Sequence, residues 1–166
     1  MLPITLDPAF LSIGLAGRGE GLARRADLLA EAGIDPIPID CDSRALGGLK
    51  VLFVAGLPRK EAERLARLAR GQGTLVNVED MPGLCDFHVP AVIRRGDLLL
   101  TVSTGGRSPG LARLIREWLE RRLGLEWNGR LKEVSQARET WREQGRTPAD
   151  VSQRTRMFVS ERNWLA

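Results

Sequence analysis

The sequence has 166 residues, enough for one substantial core or for a medium domain with a smaller second one. Its 43% hydrophobic and 28% charged residues are ordinary for a globular protein, and no apolar run is long enough to span a membrane. The N-terminus lacks the basic start and apolar core of a signal peptide, and the two cysteines lack CxxC spacing. We therefore expect a cytoplasmic protein with no membrane partner.

The net charge of +4 comes almost wholly from arginine. The planar guanidinium suits carboxylate and phosphate groups, so this charge favours an acidic small molecule or nucleic acid, although it is equally typical of solvated helix faces. The chain has no tyrosine and only four phenylalanines, which leaves few surfaces for base stacking. Because no nucleic-acid-binding motif is present either, we expect no nucleic-acid partner.

The first half of the chain alternates strand and helix patterns. Strands are predicted at residues 10–16, 34–40, 49–55 and 74–78, and helices at residues 22–33 and 58–70. Leu22, Ala26, Leu29 and Ala30 form the apolar stripe of the first helix. This alternation predicts an α/β fold with a parallel sheet and right-handed crossovers.

The pattern changes near residue 88. The segments 88–93 and 98–103 are predicted strands joined by the turn RRGD, so they should pair antiparallel. From Pro109 onward the sequence is helical, and all four tryptophans lie in this part. We expect their apolar surface to pack on the first half of the chain or on a second subunit.

The segment GRGEGL (residues 17–22) follows the first strand and opens the first helix. Dinucleotide-binding folds place a pyrophosphate at such a turn, which makes Gly17, Arg18, Gly19 and Glu20 candidate cofactor-binding residues. The third glycine of the fingerprint is missing, because Leu22 occupies its position and Gly21 stands one residue early. The alternative is a tight strand–helix turn without a ligand.

Asp40 supports the cofactor interpretation. It follows the second predicted strand about twenty residues after the glycine turn, where an acidic residue binds the cofactor ribose. An aspartate there favours NAD, because it would repel the additional phosphate of NADP. We therefore predict NAD as the cofactor.

Three further groups of residues are candidates. Glu79 and Asp80 end a strand, where a carboxylate could serve as a general base, although a solvated turn is the simpler interpretation. The turn STGGRSP (residues 103–109) opens a helix beside several arginines, which is typical of an anion site and also of an ordinary capped helix start. Cys85 and His88 could supply two metal ligands, but no second pair closes the site, so we predict no bound metal.

These residues, in this order, resemble the precorrin-2 dehydrogenase / sirohydrochlorin ferrochelatase family, which forms the N-terminal module of siroheme synthase. The resemblance rests on three segments and covers most of the chain: GRGEGLARRADLLAEAG, NVED followed by LCDFHVPAVIRRGDLLLTVSTGG, and SPGLARLIREWLE. It implies a Rossmann-like NAD-binding domain over residues 1–89, a dimerisation segment over 90–122 and a small helical domain over 123–166. Since only CDSRALGG separates the second and third strands, the sheet is expected to be a strand short.

The resemblance also implies a reaction. NAD+ would oxidise precorrin-2, an anionic tetrapyrrole, to sirohydrochlorin, and some members of the family also insert Fe2+. The catalytic aspartate of the family falls on Asp80, and the implied substrate-binding residues are His88, Thr104, Gly105, Gly106 and Arg107. The family forms homodimers. Because the cofactor region departs from the family pattern, a non-catalytic tetrapyrrole-binding or carrier protein is the alternative.

Overall fold

The computed structural model describes residues 2–43 and 46–165. The chain divides into two compact units, residues 1–89 and residues 90–166. The predicted division of the second unit at residue 122 stays a prediction. Among the described residues, no helix is long and apolar enough to cross a membrane.

The first unit is a four-stranded parallel sheet, as predicted, and one helix lies on each of its faces. Its elements are β1 (Ile13–Gly17), α1 (Gly19–Ala30), β2 (Ile37–Pro38), β3 (Val51–Ala55), α2 (Arg59–Gly71) and β4 (Leu75–Val78). The strand order is β2-β1-β3-β4, and each neighbouring pair is parallel. The chain therefore leaves β1 towards one edge of the sheet and returns to β3 on its other side.

The alternation of side chains along β3 produces the two faces of this sheet. Val51 and Phe53 point to the face that α1 covers through Leu29, whereas Leu52 and Val54 point to the face covered by α2. The apolar stripe of α2 is buried: Ala62, Leu65, Ala66 and Ala69. In α1 the stripe is narrower than predicted, because Ala30 is exposed.

The predicted second strand is much shorter in the structure than in the sequence pattern. Of residues 34–40, only Ile37 and Pro38 pair with β1. Pro36 and Pro38 have no backbone N–H to donate to a strand ladder, which confines this segment to a short edge strand. The connection from there to β3 contains no helix or strand in its described parts, residues 39–43 and 46–50.

The opposite edge strand, β4, is covered by the chain that follows it. The backbone N–H of Asp86 donates to Val76 O at 2.8 Å, and its carboxylate accepts from Val76 N at 2.9 Å and from Arg70 Nε at 2.8 Å. The amide of Asn77 donates to Phe87 O at 2.9 Å. These bonds satisfy backbone groups that an open edge would leave unpaired, and they hold the end of β4 in place.

The second unit contains an antiparallel hairpin and three helices. Its elements are β5 (Ala91–Arg95), β6 (Leu98–Val102), α3 (Pro109–Arg122), α4 (Trp127–Glu143) and α5 (Pro148–Glu161). The antiparallel pairing is confirmed, and the turn between the strands is Gly96-Asp97. The first strand begins at Ala91 and not at His88, because Pro90 lacks the N–H that would extend the ladder.

Three of the four tryptophans pack within this unit. Trp164 contacts Trp127 and Phe158 edge to face at centroid distances of 6.4 and 5.7 Å, and Trp141 contacts Phe158 at 6.2 Å. Such pairs add stabilisation beyond their buried area, so α4, α5 and the residues after α5 form a small aromatic core. Since these three tryptophans remain partly exposed, the expected packing on another surface stays a prediction. Trp118 on α3 keeps 47% of its surface exposed.

The start of α5 is a capping box. Thr147 accepts from the backbone N–H of Asp150, and the Asp150 carboxylate accepts from Thr147 N in return. The hydrogen bonds from the side chain and backbone of Thr147 lower the pKa of Asp150 below the ordinary aspartate value.

Candidate functional site

The candidate residues of the first unit meet at one edge of its sheet. Gly17 ends β1, Asp40 follows β2, Gly56 follows β3, and Glu79-Asp80 follows β4. The carboxyl ends of parallel strands form a common edge, and the strand order reverses between β1 and β3. Ligands of open α/β sheets bind at such a point.

The glycine turn lies at the centre of this edge. Gly19, the first residue of α1, has φ of +62°, and a Cβ added there would meet no atom within 4 Å. The residue before it, Arg18, is the N-cap of α1 and provides no side-chain hydrogen bond to the helix. The first backbone N–H groups of α1 therefore lack a side-chain cap beside open space, which is the arrangement that binds phosphate oxygens.

Backbone contacts fix the position of this turn. A Cβ on Gly17 would lie 2.1 Å from Ala55 O, and a Cβ on Gly56 would lie 2.1 Å from Arg18 O. A Cβ on Gly21 would lie 2.8 Å from Gly56 N. Gly21 thus permits the close approach of helix and strand that the third fingerprint glycine normally permits, one residue earlier than expected. These features fit a bound dinucleotide.

Asp40 lies at the exposed end of β2. Its Oδ1 accepts from the backbone N–H of Asp42 at 3.0 Å, which orients the carboxylate within a tight turn. The side chain of Arg18 is engaged elsewhere, in an ion pair with Glu61 at 3.1 Å. Glu20 is almost fully exposed, with its carboxylate 3.7 Å from Arg24. Of these three residues, Asp40 presents the most ordered polar group to a ligand.

The acidic pair at the end of β4 divides into two different environments. Glu79 keeps 17% of its side chain exposed, lies 3.6 Å from Arg24 and contacts the first turn of α1 at Gly21. Its negative charge there stabilises the positive end of the helix. Asp80 is exposed, has φ of +57° and makes no side-chain hydrogen bond or ion pair among the described residues. An accessible carboxylate in a disfavoured backbone conformation is the better candidate for a general base.

Arg25 adds a positive charge that the sequence did not single out. Its guanidinium lies 5.4 Å from the centroid of the Phe53 ring and has no hydrogen bond or ion pair within the described part of the chain. Burial lowers the pKa of Arg25, while the negative charges of Glu79 and Asp80 act in the opposite direction. A half-buried, charged donor near Asp80 can attract an anionic ligand. The signal in the sequence that could have indicated Arg25 is a charged residue next to the apolar stripe of α1.

Cys85 and His88 occupy different environments. The Sγ of Cys85 lies 3.2 Å from both the N and the O of Val78, so the thiol holds the end of β4. His88 is exposed and precedes β5. In residues 2–43 and 46–165, no group of three or more His, Cys, Asp or Glu side chains could hold a metal ion.

The turn STGGRSP lies in the second unit and closes on itself. The hydroxyl of Thr104 donates to Ser108 O at 2.9 Å and accepts from Ser108 N at 3.2 Å, while Ser108 caps α3 through Leu111 N. The N–H of Gly105 donates to Ser103 Oγ at 3.2 Å. Gly106 and the exposed side chain of Arg107 remain as the groups that face solvent.

Two segments of the chain match known protein families. The family described as "Putative NAD(P)-binding" matches residues 39–91, and the family described as "Sirohaem biosynthesis protein central" matches residues 95–122. A solved structure titled "SirC, precorrin-2 dehydrogenase" has a TM-score of 0.73 and covers 100% of this chain and 93% of its own. At 17% identity that likeness shows the fold.

Sequence relatives extend the match. Siroheme synthases of Methylococcus capsulatus and Thiobacillus denitrificans are 34% and 35% identical over 141 residues, which is 72% of this chain but 30% and 29% of those proteins. The siroheme synthase of Nitrosococcus oceani is 50% identical over 58 residues, 35% of this chain and 12% of that protein. The chain thus spans less than a third of these relatives. It is similar to siroheme synthases, and it contains one segment that matches the NAD(P)-binding family and one that matches the sirohaem biosynthesis central family.

Proposed function

We propose that this protein is a precorrin-2 dehydrogenase, which uses NAD+ to oxidise precorrin-2 to sirohydrochlorin in siroheme biosynthesis. One observation carries the proposal: a helix start without a side-chain cap, behind a glycine turn, meets Asp80 at the same edge of the sheet. Asp80 is exposed and has no ion pair among the described residues. The family match supports the same function. When bound, NAD+ supplies a hydride acceptor.

Each residue of the edge has a role in this proposal. Gly17, Gly19 and the start of α1 hold the pyrophosphate, and Asp40 accepts a hydrogen bond from the adenine-side ribose. Asp80 accepts the proton that the macrocycle loses as it is oxidised. Arg25 attracts the carboxylates of the macrocycle. In the second unit, Arg107 with the turn at Thr104, Gly105 and Gly106 is proposed to bind substrate carboxylates. His88, near the end of the first unit, is proposed to contact the substrate.

An anaerobic assay with precorrin-2 tests this function directly. We expect sirohydrochlorin to form only when NAD+ is present, with one NADH produced for each macrocycle oxidised. Adding Fe2+ after the oxidation then shows whether this chain also inserts iron, as some members of the family do. Absence of NAD+-dependent oxidation in the folded protein would contradict the proposal.

The identity of Asp40 predicts selectivity for NAD+ over NADP+. Asp40→Asn should weaken NAD+ binding by about 10- to 100-fold, because a hydrogen bond to a charged group contributes about 1.5–3 kcal/mol. NADP+ binding should strengthen, because a charge facing its extra phosphate is removed. Calorimetric titration with each cofactor measures both effects. Asp42→Asn, which removes the same charge from the same turn, should leave NAD+ affinity nearly unchanged.

A second candidate is a non-catalytic tetrapyrrole-binding or carrier protein that partners a pathway enzyme. The observation in its favour is the connection between β2 and β3, which has no helix or strand in its described residues beside the cofactor edge. Separate titrations with NAD+ and with sirohydrochlorin distinguish the two candidates. Binding of the tetrapyrrole without binding of NAD+ would favour the carrier.

We also infer a homodimer, with residues 90–122 as the dimerisation segment and residues 123–166 as a helical domain. The support is an apolar stripe on α3 whose four members remain exposed: Leu111, Leu114, Ile115 and Trp118. Their spacing places them on one helix face, which is typical of a surface that another chain covers. The free thiols of Cys41 and Cys85 support a reducing, cytoplasmic setting.

Leu114→Glu should convert this dimer into a monomer, because it places a charge in the middle of the stripe. Sedimentation velocity at micromolar concentration measures the change. Leu125→Glu is the matched control, since Leu125 is 81% exposed and lies outside α3. A dimer that persisted in Leu114→Glu, or a wild-type monomer, would contradict the assignment.

A further inference from the structure

The turn that carries Asp40 has no regular element of its own to support it. Residues 40–43, here called the Asp40 turn, follow the two-residue strand β2 and contain no helix or strand. Within the turn, the N–H of Ser43 donates to Asp40 O at 3.0 Å and that of Asp42 donates to Asp40 Oδ1 at 3.0 Å. These local bonds set the shape of the turn. They do not attach it to the sheet.

One side chain of α2 bonds the Asp40 turn to the rest of the unit at two points, in addition to the buried side chain of Cys41. Arg64 donates through Nη2 to Cys41 O and through Nη1 to Ser43 O at 3.1 Å. A guanidinium that bonds two carbonyls in one turn fixes the orientation of the turn as well as its distance. The thiol of Cys41 adds a weaker contact, 3.8 Å from Gly17 O.

The later part of the same connection is attached independently. The N–H of Leu46 donates to Gln72 Oε1 at 3.2 Å, Ser12 Oγ donates to Gly48 O at 2.9 Å, and Leu46 and Leu49 are buried in the core. Loss of the Arg64 contacts should therefore loosen the Asp40 turn while this later part stays anchored.

We propose that Arg64 is a positioning residue for cofactor selection, which acts by holding the Asp40 turn so that the Asp40 carboxylate faces the ribose. This proposal rests on the proposed use of NAD by the cofactor edge. Among the described residues, Arg64 bonds the carbonyl groups of Cys41 and Ser43, and it does not need to touch the cofactor. Misplacement of a binding group by about an ångström is enough to lower its contribution strongly.

The test compares Arg64→Met and Arg64→Lys in the full chain, each alone and combined with Asp40→Asn. Calorimetry should show that Arg64→Met weakens NAD+ binding by about tenfold, since the Asp40 hydrogen bond is lost on average. Arg64→Lys should restore part of this affinity because one carbonyl bond can re-form. In the Asp40→Asn background, Arg64→Met should have almost no further effect.

A second measurement needs no cofactor. Cys41 is 7% exposed, so a thiol reagent should modify it slowly in the wild type and at least tenfold faster in Arg64→Met, with the labelled peptide identified by mass. Arg67→Met is the control, because Arg67 is exposed on the same helix and has no bond to the Asp40 turn. It should change neither labelling nor affinity.

Two results would overturn the proposal. One is unchanged Cys41 labelling together with unchanged NAD+ affinity in Arg64→Met. The other is a loss of affinity that is equally large in the Asp40→Asn background, since Arg64 would then act through general stability and not through Asp40. If the wild type bound neither nucleotide while labelling still depended on Arg64, the proposed cofactor use would fail and the role in selection with it, although the turn would still be shown to be held.

Discussion

Asp80→Asn should lower the rate of NAD+-dependent precorrin-2 oxidation by about 10²- to 10⁴-fold, the usual contribution of a general base. The free energy of unfolding should stay the same, because the Asp80 side chain makes no hydrogen bond or ion pair in the described structure. The rate is measured as NADH absorbance under anaerobic conditions, and stability as a urea transition. NAD+ affinity is measured separately and should be retained.

Asp80→Gly separates catalytic activity from stability further. The φ of +57° at Asp80 is disfavoured for residues with a side chain, so glycine should raise the free energy of unfolding by up to about 1 kcal/mol while abolishing activity. Asp35→Asn is the control, because this exposed aspartate precedes β2 and lies at the opposite edge of the sheet. Normal turnover by either Asp80 variant would remove Asp80 from the mechanism.

Gly56→Ala should destabilise the first unit by about 3–5 kcal/mol. The new Cβ would lie 2.1 Å from Arg18 O, and the φ of +65° adds strain of about 1–2 kcal/mol to the overpacking. Thermal and urea unfolding measure the loss. Gly73→Ala is the matched control: its φ is +74°, but its Cβ would meet nothing within 4 Å, so only the strain should appear.

Gly19→Ala should affect cofactor binding much more than it affects stability. Its Cβ also has free space, so the protein should fold with a loss of about 1–2 kcal/mol, close to that of Gly73→Ala. Affinity for NAD+ should nevertheless fall by about 100-fold, because the methyl group stands where the pyrophosphate must approach the backbone. Equal NAD+ affinity in Gly19→Ala and the wild type would show that the cofactor does not lie on this turn.

Much of the fold and the edge of the sheet could be predicted because they depend on local patterns. Buried strands of a parallel sheet are continuous apolar runs, as at Val51–Ala55. An amphipathic helix such as α2 has apolar residues at intervals of three and four. Once the strands were assigned as parallel, the residues after them had to share one edge. The sequence therefore predicts that Asp40, Asp80 and the glycine turn lie at the same edge of the sheet.

The features that escaped prediction all depend on partners distant in sequence. The role of Gly21 appears only when its distance to Gly56 is known. The position of Arg25 near Glu79 and Asp80, without an ion pair among the described residues, likewise appears only in the folded chain. The aromatic core around Trp164 depends on how α4 and α5 pack, which composition alone does not determine. The internal bonds of Thr104 likewise follow from the conformation of its turn, since the residue types are the same as in an open anion site.

The contacts between Gly17, Gly56 and Arg18 have a consequence for how fast a nucleotide binds. Each of the two turns blocks movement of the other by direct backbone contact, so the surface on which the pyrophosphate would rest has its final shape before any ligand arrives. Association at this surface needs no rearrangement there, and its rate should approach that of simple diffusional encounter. We expect any slow step on binding to arise in the Asp40 turn, which Arg64 holds through two carbonyl bonds.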